Sequence, residues 1–160
     1  MPICRCSNDT EAIAHVLACP DPLATEHHNM LLKKCLADLK IEGHTSPGII
    51  TCWEPQIRYQ LGLPTKSSPP PMYKSTKLEN AAKLHQNPSG WDLFLKGIIS
   101  SKWIQAQQIH LKLFPPQNSK KKHGWEHLRK STIISLGIEI WRWRKDFIHG
   151  KTLAEQKLKE

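Results

Sequence analysis

Residues 125–147 read WEHLRKSTIISLGIEIWRWRKDF, and this stretch decides the fold class. Trp125, Leu128, Thr132, Leu136, Ile140, Trp143 and Phe147 step by three or four residues. Over about six turns that spacing places them along one face of an α-helix. Arg129, Lys130, Arg142 and Lys145 occupy the opposite side in this reading, as expected of a helix with one face in a core and one in water. Gly150 predicts the stop, and a charged tail follows over 151–160.

Working outward, the same logic covers the upstream segments. Asp21 stands where an N-cap belongs, with Pro22 at the first helical position. Leu23, Met30, Leu31, Cys35 and Leu39 then recur near helical spacing, and Gly43 lies just past the end. Thr45, Ser46 and Pro47 repeat the start signal, Ile49, Ile50, Trp53, Ile57 and Leu61 continue it, and Gly62 offers the stop. Pro55 inside this run predicts a kink or a split. Residues 63–74, LPTKSSPPPMYK, read as an extended linker.

A weaker helix restarts at Ser75 through Leu78, Ala81, Ala82 and His85, and residues 87–90 break it. Trp91, Phe94, Leu95, Ile98, Ile99, Trp103 and Ile104 predict one further helix interrupted near Ser100 and Ser101. A second loop runs from Pro115 to Gly124. Outside the short N-terminal motif there is no strand-period alternation. The expected fold is therefore mainly α: a small N-terminal Cys/His knuckle (1–20) followed by a multi-helix domain with Pro-rich loops. Its parts are a helical segment (21–62), the linker (63–74), a helical domain (75–150) and the tail (151–160).

At 160 residues one core is expected. Hydrophobic residues make up 39%, so that core is modest, and six Trp enlarge it. Trp91, Trp103, Trp125 and Trp143 fall on apolar stripes and predict core positions, as do Cys35 and Cys52. Trp141, one step off its stripe and between basic residues, predicts an exposed ring. The formal charge of +9 favours polyanionic partners. No run approaches the ~18 apolar residues that span a bilayer, and no apolar signal segment follows the start. No membrane association is expected.

The motif with chemistry in it is N-terminal. His15-x3-Cys19 puts an imidazole and a thiol one helical turn apart, where they can share a metal, and Cys4 approaches from the preceding segment. Tetrahedral zinc takes a fourth ligand: Cys6, although Cys-x-Cys is a tight bite, or His27 or His28 folding back from the first long helix, or water. Without a metal role, His27 and His28 read as solvated on a helix face. Five Cys, three of them in the first 19 residues beside a His, suit zinc in a reducing compartment better than disulfides. The expectation is an intracellular protein of nucleus or cytoplasm, with a structural Zn2+.

These residues carry a family resemblance. Cys4-Arg, Thr10-Glu11, His15-Val-Leu and Cys19-Pro20 resemble the zinc-binding segment that follows the polymerase in reverse-transcriptase-like retroelement proteins. That family runs Cys-Pro-x-Cys, an acidic/Thr pair, then His-x3-Cys. Met1 stands where its first Cys would fall, so the resemblance implies a reading frame opening inside a longer ancestral protein. Further on, Gly90-Trp91, Phe94-Leu95, Gly97, Ser101 and Trp103 resemble the "GW..FL.G..S..W" stretch of the same proteins. Trp141 to Arg144 with His149-Gly150 is similar to their closing segment, Lys145 replacing the usual Asn. The resemblance implies retroelement ancestry without implying retained activity.

Catalytic signatures are missing from the sequence: no adjacent Asp pair, no His-Glu-x-x-His, no Gly-rich phosphate loop, no Gly-x-Ser-x-Gly. The expected role is therefore non-enzymatic. The first expectation is weak RNA or DNA binding through phosphate contacts from Lys120, Lys121, Lys122, Arg129, Lys130, Arg142 and Arg144, with metal ligands drawn from Cys4, Cys6, His15 and Cys19. The second is a helical module that docks a partner protein or its own copy on an uncovered apolar face. The third is a degenerate relic without selected function.

Overall fold

A computed structural model of the chain describes residues 13–42, 44–65, 77–117 and 124–157. The described residues form six α-helices and one 3-10 turn, with no strand among them. The helices are α1 (Ile13–Leu17), α2 (Pro22–Ile41), α3 (Pro47–Gln60), α4 (Lys77–Ser89), α5 (Lys102–Leu113) and α6 (Trp125–Lys157), and the turn is Phe94–Lys96. The mainly α expectation holds.

Two helix starts follow directly from sequence chemistry. The Asp21 carboxylate accepts the Leu23 amide at 2.8 Å, and Pro22 supplies a preset φ where no amide is needed. Such a cap stabilises a helix by about 1 kcal/mol. At α3, Pro47 again occupies the first turn, but Ser46 caps nothing with its own side chain. Its hydroxyl instead donates to Glu79 Oε1 at 2.8 Å, and its amide donates to Gln107 Oε1 at 2.8 Å. Gln107 Nε2 donates to the His44 carbonyl at 2.9 Å, and Trp125 Nε1 donates to Thr45 Oγ1 at 2.9 Å. The corner between α2 and α3 is thereby tied to α4, α5 and α6 at once. Gly48 makes room for this: a Cβ there would fall on the Glu79 carboxylate.

The core forms around Trp53, which is fully buried. Its ring meets Phe94 edge-on at 4.8 Å and Trp103 edge-on at 5.6 Å, and lies tilted against Trp125 at 5.9 Å. Trp91 closes the group against Phe94 at 5.0 Å and Trp103 at 6.4 Å. These offset and T-shaped contacts suit the ring quadrupoles. Leu32, Leu36, Leu39, Ile49, Ile57, Ile133 and Ile140 fill the remaining space. Cys35 and Cys52 are buried as expected of small apolar side chains. Helix α6 lies against α1, α2 and the 3-10 turn, α4 packs on α5, and α3 touches α2, α4 and α5.

Several expectations are corrected. Helix α3 runs through Pro55 without splitting. A proline removes one backbone donor, and the buried Trp53 and Ile57 on either side hold the helix against that loss. The stretch from Trp91 to Ile104 is not one helix: the 3-10 turn ends at Gly97, whose φ of +85° is open to glycine, and α5 starts only at Lys102. Helix α4 buries Glu79, Ala82 and Gln86, while Leu78, Ala81 and His85 face out. Gly150 does not stop α6, which continues to Lys157. A mid-helix glycine costs only about 1 kcal/mol relative to Ala, so it weakens a helix more readily than it ends one.

Candidate binding surface on helix α6

The core-facing stripe of α6 is Arg129, Ile133, Leu136, Ile140 and Arg144, stepping by four, three, four and four. Two arginines expected in water therefore belong to the buried face. Arg129 is 1% exposed, with its guanidinium 5.1 Å from the Trp125 ring centroid, one nitrogen 3.5 Å from the Ser100 carbonyl and another 3.8 Å from Glu126. Burial draws its pKa down from the usual value, and Glu126 partly opposes that. Arg144 is 3% exposed. At that burial neither guanidinium is open to a phosphate, contrary to the expectation for both.

Of the other expected phosphate contacts, Lys120, Lys121 and Lys122 lie outside the described residues. Lys130 pairs with Glu126 at 3.1 Å across one turn. Arg142 is exposed, as is the neighbouring Lys145, and neither pairs with a carboxylate among the described residues.

The solvent side of α6 is more apolar than a soluble helix requires. Ile134 is 38% exposed, Ile138 44% and Trp141 53%. At about 100° per residue, these three and Lys145 fall in a strip about 60° wide. They are spaced i, i+4, i+7 and i+11. Gly97 lies against the strip at its N-terminal end, where a Cβ would come 2.7 Å from Ile134 Cδ1, and the adjoining Ile98 is also exposed. The strip itself contains no carboxylate. Glu139 turns toward α2 and meets Lys34 at 3.8 Å. Trp141 was legible in the sequence as an exposed ring. Ile134 and Ile138 were not, although their seven- and three-residue steps to Trp141 were the available signal.

A groove of about 650 Å3 runs along the N-terminal half of α2, lined by Leu23, Glu26, His27, Met30 and Lys33 and bordered by Trp143 of α6. His27 stacks on Trp143 at 4.6 Å and 14° between planes. His28 points inward, 1% exposed and edge-on to Trp143 at 6.2 Å, which corrects the expectation of a solvated side chain. Burial holds its pKa down at about 4; His27 and Arg144 add to the effect, and a hydrogen bond to the Leu61 backbone opposes it. His28 is thus a neutral core residue at pH 7.

Of the four metal-ligand candidates, Cys4 and Cys6 lie outside the described residues. His15 sits in the last turn of α1, and Cys19, just beyond it, is buried with Ala24 against Trp143. Among the described residues no group of three or more His, Cys, Asp or Glu is gathered to hold a metal ion, so the described part of the set is His15 and Cys19. An imidazole and a thiol are donors that zinc accepts.

No helix among the described residues is long and apolar enough to cross a membrane. The chain matches no family model, no curated protein and no solved structure.

Proposed function

We propose that this chain is a non-catalytic helical binding module, derived from a retroelement protein, that engages a partner protein through the solvent face of α6. The observation that carries this is the exposed strip Ile134, Ile138 and Trp141. Contiguous apolar surface rimmed by polar groups marks interaction sites, and anchors at i, i+4 and i+7 suit a partner that lies along the helix. A photo-crosslinking residue at position 138, in the chain expressed in its own cells, should yield a discrete protein adduct. The same residue at the exposed position Lys112 should not. Equal labelling from both positions would refute the assignment.

Nucleic-acid binding is the second reading, favoured by the charge of +9 and by Trp141 standing exposed beside Arg142 and Lys145. Bases stack on exposed rings, and phosphates meet unpaired cations. Binding of RNA or DNA should then fall steeply as salt rises. Affinity that is undetectable at low salt, or flat from low to moderate salt, would eliminate it.

A structural zinc held by His15 and Cys19 with Cys4, and Cys6 or another donor, is the third part of the proposal. It would brace the N-terminal segment against α6. Metal analysis of the purified chain should find close to one zinc per molecule, released by thiol modification. Zinc-free protein with unchanged folding would remove it.

A further inference from the structure

We infer that the partner seated on α6 is an acidic amphipathic helix; this rests on α6 being the binding face and adds the chemistry of the occupant. The face has two components. Ile134, Ile138 and Trp141 form an apolar ridge over two turns, long enough to take three anchors of a facing helix. At the C-terminal end of the ridge, Arg142 and Lys145 stand exposed without a carboxylate partner among the described residues. No acidic side chain lies in the strip, and Lys130 at its N-terminal end is already paired with Glu126, so the unpaired positive charge beside the ridge is that of Arg142 and Lys145. A partner whose apolar stripe is flanked by Glu or Asp satisfies both components, and a basic helix satisfies only the first.

A second copy of this chain fits less well. Two such faces would bring Arg142 and Lys145 of each copy to the same seam within molecules of formal charge +9. A nucleic-acid strand is served by Trp141 and the two cations, but leaves Ile134 and Ile138 without a function. Only the acidic helix uses every exposed group of the strip.

The test uses the full chain and three probes at fixed ionic strength, followed by calorimetry. The first probe is an amphipathic peptide of about 18 residues with Leu on one face and Glu on both flanks, long enough for a helix to form on docking. The second is the same peptide with Lys for each Glu, and the third is a single-stranded oligonucleotide. The acidic peptide should bind at least roughly ten times more tightly than the basic one. Trp141→Ala should weaken it by roughly tenfold or more, as loss of a large aromatic anchor does. Arg142→Glu with Lys145→Glu should reverse the preference between the peptides. All three positions are exposed, and unchanged circular dichroism would verify that the variants fold.

If both peptides bind equally and Trp141→Ala weakens both, the acidic partner is overturned while α6 remains the binding face. If only the oligonucleotide binds, the occupant is nucleic acid and the inference fails. If the chain sediments as a dimer that Ile138→Asp dissociates, the occupant is a second copy and the inference fails equally. If no probe binds and no α6 variant changes any measurement, both the inference and the binding face are lost.

Discussion

Replacing Gln107 by Met should destabilise the protein far more than a substitution on a short helix ordinarily does. Gln107 is 1% exposed, and its amide makes two hydrogen bonds of 2.8 and 2.9 Å, accepting from the Ser46 amide and donating to the His44 carbonyl. Methionine nearly preserves the volume, so the change removes hydrogen bonding rather than packing. Each bond contributes about 1 kcal/mol net, and a buried group left unpaired costs about 1–3 kcal/mol. The bond from the Ser46 amide is buried, whereas the bond to the His44 carbonyl is only partly buried. The expected loss is therefore about 2–4 kcal/mol, a large part of the roughly 5–15 kcal/mol typical of a domain. Urea denaturation followed by circular dichroism measures it, with Gln108→Met, on the exposed side of the same helix, as the control. Gln108→Met should stay within about 0.5 kcal/mol. A loss below about 0.5 kcal/mol for Gln107→Met at unchanged m would refute the assignment of the α2–α3 corner as a buried polar tie.

Gly97→Ala should cost about 1–2 kcal/mol, because φ of +85° strains an L-residue and the new methyl meets Ile134; thermal melts decide it, and a neutral result would rule out the turn geometry. Stability should fall as pH drops from about 6.5 to about 4, by up to about 1.4 kcal/mol per unit. The unfolded chain takes up a proton on His28 that the folded core excludes, since the folded pKa lies below the unfolded one. His28→Leu should flatten that slope in denaturation curves across the window, and an unchanged slope would assign it to other groups. The Cys35 thiol, pushed up to about 12 chiefly by burial, should resist alkylation at pH 8 in the folded protein and react on unfolding. Mass spectrometry of the labelled peptides would show it, and rapid native labelling would contradict the packing.

Helix starts were legible because their chemistry is local. Asp21 with Pro22, and Ser46 with Pro47, announce themselves within a few residues. Of the aromatic partners of Trp53, Trp103 and Trp125 fall on helices as their spacing announced, whereas Phe94 belongs to a 3-10 turn that the helical reading missed. Long-range polar burial was not legible. Nothing near Glu79, Gln86 or Gln107 in sequence says that they face inward, because their partners lie in other elements: Ser46 for two of them, the Gly90–Ser100 loop for Gln86. Arg129 was placed opposite the apolar stripe and Arg144 among the phosphate contacts, although their spacing with Ile133, Leu136 and Ile140 also marks a continuous face. Helix α6 carries apolar residues around much of its circumference, so periodicity by itself could not say which face the core would take. Tertiary packing chose the face with the two arginines and left Ile134, Ile138 and Trp141 outside.

The tie at the α2–α3 corner also bears on the order in which the chain folds. Its hydrogen bonds span 33, 61 and 80 residues, from Ser46 to Glu79, from Ser46 to Gln107 and from Thr45 to Trp125. Helices are local and nucleate early, whereas contacts this distant must first meet the entropy of closing long loops. The corner should therefore be the last part of the core to lock. Once locked, it opens only when α4, α5 and α6 release it together, which would put the Ser46 amide among the slowest to exchange with solvent and make it a reporter of global unfolding.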